Sequence, residues 1–307
     1  MINFYYSDEY FNHDTGSHPE SIERIKVVKE LLFKEYASHN FIEPSLATKE
    51  LISNVHDINY IDNIFENIPT SGFNYFDPDT IACPSSLKSY LSAVGGSVDA
   101  VDHSRASQKD KNVYFCAHRP PGHHAEKNKA MGFGVFNNIA VSAQYANTIK
   151  NYSKILIVDF DVHHGNGTQH IFENNPNIFY ASSHQFPFYP GTGDISETGN
   201  GNIFNCPLPS GCDSILFRKL FTENILEKIN HNFDLLYFSA GFDAHKLDPL
   251  ASINLEDDDF KWITEVIIEK YASNIPIISV LEGGYDMKGL YNSLNNHLKV
   301  LQKYSNE

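Results

Sequence analysis

The sequence predicts an α/β fold, in which a mostly parallel central sheet carries helices on both faces and an active site at the carboxyl ends of its strands. Short apolar runs rich in β-branched residues alternate with helical patterns along the chain, which is typical of a parallel sheet. Polar clusters follow these runs directly, and ligands in open α/β sheets bind beyond the strand carboxyl ends. There is no internal repeat or linker, so we expect one domain over residues 1–307.

The first half of the chain contains three features beyond regular elements. Arg24 lies near the start of the first helix, where its position alone predicts a solvent-exposed side chain. The stretch 72–84 is aromatic, acidic and interrupted by proline, and long loops of this kind are often functional. Glycines 95 and 96 indicate close packing of their helix. The predicted elements are a strand over 2–6, a polar loop over 12–20, a helix over 21–36, one or two helices over 48–68, a loop over 72–84, a helix over 86–104, a strand over 112–117 and a helix over 138–149.

The second half repeats the alternation and ends in a helix. A loop rich in aromatic residues, proline and glycine follows the second of its strands and extends to Asp194. The predicted elements are a strand over 155–158, a helix over 169–174, a strand over 177–182, a helix over 213–230, a strand over 233–239, a helix over 256–273, a strand over 275–281 and a helix over 288–304.

Composition restricts the classes of partner. A net charge of −15 argues against binding to nucleic acid or to an anionic membrane surface, because both require a basic surface, and it suits a cationic substrate. The N-terminus lacks the pattern of a signal peptide and no apolar run reaches membrane-spanning length, so we expect a cytoplasmic protein. The cysteines are scattered without a Cys-x-x-Cys pair, which favours reduced thiols: Cys83, Cys116, Cys206 and Cys212.

The most informative stretch is 155–168, where an apolar run changes into acids, histidines and glycines. Asp161 and His163 are two positions apart, so they project to one side if the strand geometry continues. A carboxylate and an imidazole are half of a divalent metal site, and an open catalytic zinc site has three protein ligands. Asp159 lies deeper on the same side and needs a partner for its buried charge. An Asp-x-His pair also arises by chance in loops.

A second polar cluster follows the strand over 112–117. Prolines and a glycine interrupt regular structure in Arg119-Pro-Pro-Gly-His-His-Ala125, which places His123 and His124 side by side on a rigid loop. Imidazoles titrate near neutral pH and suit proton transfer, although two loop histidines can also lack a function. Further clusters follow the strands that end near Ser182, Ser239 and Leu281. Because all of these clusters converge on one edge of the sheet, the sequence favours a metal-dependent enzyme.

These motifs, in this order, resemble the zinc-dependent histone deacetylase superfamily, and in particular its class II-like bacterial deacetylases and acetylpolyamine amidohydrolases. The resemblance covers nearly the whole chain, from His18-Pro-Glu20 with Arg24 to Leu281-Glu-Gly-Gly-Tyr285. It implies an arginase/deacetylase-like fold and a single deacetylase-like catalytic domain. It also implies a metal site formed by Asp161, His163 and Asp243, with Zn²⁺ as the first choice and Fe²⁺ or Co²⁺ as alternatives.

The resemblance further assigns roles in proton transfer. Asp159 would face His123, and Asn166 would face His124, which is the implied general base. Tyr285 would donate a hydrogen bond to the tetrahedral oxyanion, although it could also be a packed loop aromatic. Buried hydrogen-bonding roles are expected for His164 and His245.

Substrate and ion contacts are implied in the same way. An acyl-lysine tunnel would be lined by Gly132, Phe133, Tyr189 and Leu250. A structural K⁺ site would involve Asp159, Asp161, His163, Ser182 and Ser183. Asp77 or Asp79 would orient the substrate, and Arg24 would have a structural or product-channel role.

The resemblance therefore implies an amidohydrolase that removes an acetyl or other acyl group from lysine side chains by means of a metal-activated water. The substrate would be an acyl-lysine protein or peptide, or else an acylated polyamine or another small N-acyl amide. A non-catalytic acyl-lysine binding module is a further alternative. A two-metal ureohydrolase would require additional acidic ligands. The oligomeric state is open at this stage.

Overall fold

The computed structural model describes residues 1–107 and 111–306. Within these residues the strands are β1 (Ile2–Tyr5), β2 (Asn40–Ile42), β3 (Asn74–Asp77), β4 (Thr80–Ala82), β5 (Val113–Cys116), β6 (Ile155–Asp159), β7 (Ile178–Gln185), β8 (Ile203–Leu208), β9 (Leu235–Ala240) and β10 (Ile277–Leu281). The α-helices are α1 (Ile22–Glu35), α2 (Lys49–Ile52), α3 (Ile58–Glu66), α4 (Ser86–Ala106), α5 (Asn138–Thr148), α6 (Asn166–Phe172), α7 (Ser214–Phe221), α8 (Asp257–Tyr271) and α9 (Met287–Asn306).

Eight strands form the central sheet, in the order β2-β1-β5-β10-β9-β6-β7-β8, and each neighbouring pair is parallel. The central strands β5, β6, β9 and β10 are buried along their whole length, in keeping with their largely apolar sequences. The predicted fold class, a single α/β domain with a mostly parallel sheet, is confirmed.

Helices cover both faces of this sheet. One apolar core packs α1, α7, α8 and α9 against one face, and a second packs α2 to α6 against the other. Among residues 1–107 and 111–306, no helix has the length and apolar character needed to cross a membrane.

The strand order places the polar clusters together. β5, β10, β9, β6 and β7 are consecutive neighbours, and all five run in the same direction. Asp159, at the end of β6, pairs in register with Ser182 of β7 and with Ser239 of β9. The loops that follow these strands therefore meet at one edge of the sheet.

Several elements differ in detail from their predictions, and the helix predicted over 169–174 spans Asn166–Phe172 instead. The stretch 72–84 contains an antiparallel hairpin, β3 and β4, and is not an unstructured loop. The strands β2 and β8 were not predicted, because both are edge strands with partly exposed or polar residues. β7 continues to Gln185, since its last residues are held by pairing with β8. The helix over 213–230 ends at Phe221 and is followed by a π-helical turn over Thr222–Leu226.

Candidate active site

Asp161, His163 and Asp243 lie together at the convergence of β6 and β9. Their ligating atoms are all within 4.8 Å of one another. His163 Nδ1 is 3.1 Å from Asp161 Oδ1 and 3.1 Å from Asp243 Oδ2. Ligand bonds of about 2.0–2.2 Å place neighbouring ligands of a tetrahedral ion roughly 3–3.5 Å apart, so these distances fit a zinc-sized cation.

The surroundings of the three residues also fit a metal. Two nearby glycines leave room for the carboxylates: a Cβ at Gly241 would lie 2.1 Å from Asp161 Oδ2, and one at Gly283 would lie 2.3 Å from Asp243 Oδ2. Backbone N–H groups orient the same carboxylates, because Gly283 N donates to Asp161 Oδ2 at 2.8 Å and Val162 N donates to Asp243 Oδ1 at 2.8 Å. Although burial lowers the pKa of His163, the two carboxylates raise it to about 10, so the cluster stabilises positive charge.

The tandem histidines have different partners. His123 Nδ1 donates to Asp159 Oδ2 at 3.0 Å, and Tyr180 donates its hydroxyl to the same oxygen at 2.9 Å. His124 Nδ1 donates to Asn166 Oδ1 at 2.8 Å. Both implied pairings are therefore present, and Asp159 has the partners that its burial requires.

The electrostatic environments of His123 and His124 differ as well. Burial lowers the pKa of His123, but Asp159 and Asp161 outweigh this effect and raise it to about 10. Burial also lowers the pKa of His124, and its neighbours His123 and His163 lower it further, well below the usual value. His123 therefore favours the charged form and His124 the neutral form, which leaves Nε2 of His124 able to accept a proton.

A pocket of about 250 Å³ opens onto this cluster. Aromatic side chains form its walls, and all four implied tunnel residues line it. Phe133 has a left-handed backbone with φ of 69° and meets Tyr285 edge-on, with ring centroids 5.7 Å apart. The lining residues are Asp79, Pro121, His123, His124, Gly132, Phe133, His163, Phe188, Tyr189, Leu250 and Tyr285.

Tyr285 is held at the pocket by its backbone. Asp248 Oδ2 accepts hydrogen bonds from the N–H groups of Tyr285, at 2.6 Å, and of Asp286, at 3.2 Å. Asp248 Oδ1 accepts one from Leu250 N at 3.0 Å, so one carboxylate fixes two residues of the pocket wall. The loop that carries Tyr285 is therefore preorganised.

The sequence matches a known protein family over most of its length. The profile of the histone deacetylase domain matches residues 18–301. The chain belongs to the histone deacetylase family. It is 34% identical to histone deacetylase 14, chloroplastic, of Arabidopsis thaliana, over 94% of this chain and 74% of that protein. It is 35% identical to a probable deacetylase of Methanothermobacter thermautotrophicus, over 93% of this chain and 86% of that protein.

A solved structure shows the same likeness. The crystal structure of the HDA15 HD domain superposes with a TM-score of 0.89 at 30% identity, covering 98% of this chain and 90% of that one. Family membership supports deacetylase activity in general, which is the hydrolysis of an acylated amine.

The prediction of a solvent-exposed Arg24 was wrong. This histone deacetylase family member buries Arg24 to 1% exposure, because its partners come from distant loops. Nη1 donates to Glu20 Oε1 at 3.1 Å and Nε donates to the Gly284 carbonyl at 2.8 Å, while Nη2 donates to the Glu282 carbonyl. The guanidinium carbon also lies 4.9 Å from the ring centroid of Tyr285. Arg24 therefore supports the loop that carries Tyr285.

Of the residues of the predicted K⁺ site, Asp159 lies on β6 and Ser182 and Ser183 lie on the neighbouring β7, while Asp161 and His163 lie in the loop after β6; K⁺ binding stays a prediction. Ser182 and Ser183 are buried on β7, and Ser182 shares a hydrogen bond with His184 at 2.9 Å.

His164 is buried and forms hydrogen bonds with Thr192 at 2.7 Å and with Gln169 at 2.9 Å. His245 is also buried, and its Nε2 lies 3.1 Å from Asp257 Oδ1.

Sequence reasoning missed several residues of this site. Phe188 stacks on His163, with ring centroids 5.6 Å apart and planes 22° apart, and only its position next to Tyr189 could have indicated this. Glu282 accepts hydrogen bonds from Gly122 N at 2.7 Å and His123 N at 3.2 Å, so it fixes the histidine loop. Glu282 lies within the motif Leu281-Glu-Gly-Gly-Tyr285, but its role as an acceptor was not predicted, and no local pattern marks Asp248 as part of the site.

Proposed function

We propose that the protein is a zinc-dependent deacylase that removes an acetyl or other acyl group from lysine side chains. The observation that carries this proposal is the arrangement of the pocket, where the His163 ring, a neutral histidine and a tyrosine line one narrow aromatic slot. A slot of this shape accepts a methylene chain with a planar amide at its tip.

Asp161, His163 and Asp243 are the residues that would hold the metal. Two carboxylates and one imidazole suit Zn²⁺, and Fe²⁺ or Co²⁺ would also be accepted. A metal bound there would supply Lewis-acid polarisation of the amide carbonyl and an acidified water. K⁺ would bind near Asp159 and Ser182 as a structural ion.

His124 would act as the general base and then as the general acid. Its Nδ1 proton is committed to Asn166 at 2.8 Å, so Nε2 is the nitrogen that exchanges protons with the reacting groups. Nε2 would take a proton from the attacking water and later deliver one to the leaving amine. His123, paired with Asp159, would remain charged beside it and stabilise negative charge in the transition state.

Tyr285 would stabilise the oxyanion. Burial raises the pKa of its phenol well above the usual value, so the hydroxyl keeps its proton and can donate it in a hydrogen bond. Arg24 beneath the ring and Asp248 on the backbone fix this donor, and a preorganised donor is what oxyanion stabilisation requires.

The mouth of the pocket favours a cationic substrate. Asp79 lines it, and the whole chain carries a net charge of −15. An acylated polyamine keeps its remaining amines as cations, whereas an acyl-lysine side chain is neutral and its peptide is cationic only through other basic residues. The polyamine hydrolase is therefore the second candidate. A non-catalytic binding module has less support, because three potential metal ligands, a neutral histidine and a tyrosine lie around one pocket.

Deacylation assays test this proposal. Metal-reconstituted protein is offered acetyl-lysine peptides, longer acyl-lysine peptides and acetylated polyamines, with and without a chelator. We expect chelator-sensitive turnover of acyl-lysine peptides. Tyr285→Phe is expected to lower kcat about 100- to 1000-fold and His124→Ala about 100- to 10,000-fold, with the fold intact by circular dichroism.

The matched control is Tyr75→Phe, which alters a tyrosine that is 59% exposed and should leave kcat unchanged. Near-normal rates in both site variants would refute the roles of His124 and Tyr285. Turnover of polyamines alone would establish the second candidate. Verified metal binding with no turnover of any substrate would favour the binding module.

A further inference from the structure

A chain of hydrogen bonds continues outward from His124 beyond its partner Asn166. The Asn166 amide accepts from His124 Nδ1 through Oδ1 at 2.8 Å, and through Nδ2 it donates to Glu126 Oε1 at 2.5 Å. His170 Nδ1 donates to the same Glu126 oxygen at 2.7 Å. This chain leads from the pocket to the protein surface, where the His170 side chain is 41% exposed.

We propose that Glu126 is a positioning residue for His124, acting through the side-chain amide of Asn166. This inference rests on the proposed role of His124 as general base. It concerns a residue that lies outside both the three potential metal ligands and the lining of the pocket.

The two ends of the Asn166 side-chain amide differ in chemistry. An asparagine side chain has an oxygen that only accepts and an NH₂ group that only donates, and a rotation of 180° exchanges them at little steric cost. With Oδ1 toward His124, the imidazole carries its proton on Nδ1 and presents a lone pair at Nε2. With NH₂ toward His124, Nδ1 would have to accept, and the proton would move to Nε2. That tautomer cannot act as a base at Nε2.

Glu126 makes the shortest contact with the Asn166 NH₂ group, at 2.5 Å, whereas the His124 carbonyl and Met131 Sδ both lie 3.4 Å from it, so Glu126 contributes most to the choice between these two orientations. A carboxylate only accepts hydrogen bonds, so it can face the Asn166 NH₂ but not its oxygen. In the flipped orientation two oxygens, those of Glu126 and Asn166, would face each other at hydrogen-bond distance. The carboxylate therefore fixes the amide, and the amide in turn fixes the tautomer of His124.

The backbone holds Glu126 in place for this role. Glu126 N donates to the Lys129 carbonyl at 2.9 Å, and the Glu126 carbonyl accepts from His56 Nδ1 at 2.9 Å. Helix α6 begins directly against the same loop, because a Cβ at Gly167 would lie 2.2 Å from the Ala125 carbonyl oxygen. This close approach brings Asn166 within reach of both His124 and Glu126.

The charge state of Glu126 suits the role. Partial burial raises the pKa of its carboxyl group, but the hydrogen bonds from His170 and Asn166 outweigh this effect and hold it below the usual value. The carboxylate form, which is the form that cannot face an oxygen, therefore predominates. These hydrogen bonds fix the orientation of the Asn166 amide and do not carry protons. The neutral amide between His124 and Glu126 neither gives up nor gains a proton readily.

The first test measures the tautomer directly. Protein with ¹⁵N-labelled histidine is observed by long-range ¹H–¹⁵N correlation, and the His124 signals are assigned by their loss in His124→Ala. We expect the Nδ1–H form in the wild type, a mixture of both forms in Glu126→Ala, and the wild-type form in Glu126→Gln, because glutamine can turn its own oxygen toward Asn166.

The second test measures activity in the same variants. Glu126→Ala is expected to lower kcat about tenfold with KM unchanged, since its effect is on proton transfer rather than on binding. Glu126→Gln should restore most of this loss. In an Asn166→Asp background, where both side-chain oxygens accept, Glu126→Ala should have no such cost.

The control is Glu173→Ala, which removes another carboxylate that acts on His170 without contacting Asn166. A purely Nδ1–H His124 in Glu126→Ala would overturn the proposal, as would equal losses of kcat in Glu126→Ala and Glu173→Ala. A wild-type protein that is inactive on all acyl substrates would refute the proposed function, while the tautomer measurement would still decide the role of Glu126.

Discussion

Glu20 is the anion at the centre of a buried charge cluster, and its removal gives a sharp test of what stabilises this edge of the fold. Its side chain, like those of Arg24 and Arg119, is 1% exposed. Oε1 accepts from Arg24 Nη1 at 3.1 Å and from Arg119 Nε at 2.8 Å, and Oε2 accepts from Arg119 Nη2 at 2.7 Å. Glu20→Gln removes the charge and turns an NH₂ group toward one of these donors.

The expected cost follows from two independent estimates. Burial raises the pKa of Glu20, but Arg119 foremost, and then His13 and Arg24, lower it to about 2 from the usual 4.5. A difference of this size corresponds to about 3 kcal/mol of folding free energy at neutral pH. Removing one partner of a buried ion pair generally costs about 3–5 kcal/mol, because the other charge is left buried and unpaired. We therefore expect Glu20→Gln to lower the free energy of unfolding by about 3–5 kcal/mol.

Urea unfolding followed by circular dichroism at pH 7 measures this difference. The control is Glu23→Gln. Glu23 pairs with Lys26, and their side chains are 62% and 54% exposed, respectively. This ion pair should contribute less than about 0.5 kcal/mol to the free energy of unfolding. Because the folded-state pKa of Glu20 is depressed, its stabilisation is present above pH 4.5 and is lost as the pH falls toward 2. The difference between wild type and Glu20→Gln should shrink over that interval. A loss below about 1 kcal/mol at pH 7 would show that the cluster does not stabilise the fold in this way.

Two further predictions concern the metal site and the buried histidines. Gly283→Ala places a Cβ 2.3 Å from Asp243 Oδ2 and 2.5 Å from Asp161 Oδ2. The variant should therefore bind zinc about 10- to 100-fold more weakly in a chelator competition. Unchanged zinc affinity would mean that these carboxylates are not the ligands. Burial lowers the pKa of five histidines to about 3–4 from the usual 6.5. The stability that they contribute as neutral groups is therefore present above pH 6.5 and falls as the pH decreases toward 4. The loss is at most about 1.4 kcal/mol per pH unit for each histidine. Urea unfolding at several pH values measures this slope, and a flat profile between pH 6.5 and 5 would contradict it. The histidines are His13, His56, His118, His184 and His297.

The central part of the fold was predictable because its strands are apolar on both faces. β6 and β10 appear in the sequence as continuous apolar runs, and the helices between strands have periodic patterns. The edge strands lack this signal. β8 contains Asn205 and Pro207, and proline is tolerated only where a ladder hydrogen bond is not needed. The pairing with β7, rather than the sequence of β8 itself, determines that this segment is a strand.

Some residues of the candidate site were likewise predictable from the sequence, and others were not. Asp161 and His163 are close in sequence and can be proposed as a pair from spacing, whereas Asp243 joins them only because β9 lies beside β6. The family resemblance supplied this third residue before the structure did. The contacts of Asp248, Glu282 and Phe188 were not predicted, since each is made with a loop from another strand.

Arg24 shows why position in a helix is not enough to predict exposure. It lies in the first turn of α1, yet the Gly284 carbonyl that it contacts is 260 positions away in the chain. Its guanidinium links the Glu20 cluster to the loop of Tyr285, so folding stability and the proposed oxyanion donor depend on the same residues. Glu20→Gln should therefore also lower kcat under conditions in which the variant is fully folded, because Arg24 without its anion no longer fixes the Gly284 carbonyl and the phenol beside it. Full activity of folded Glu20→Gln would show instead that Asp248 alone is sufficient to hold Tyr285 in place.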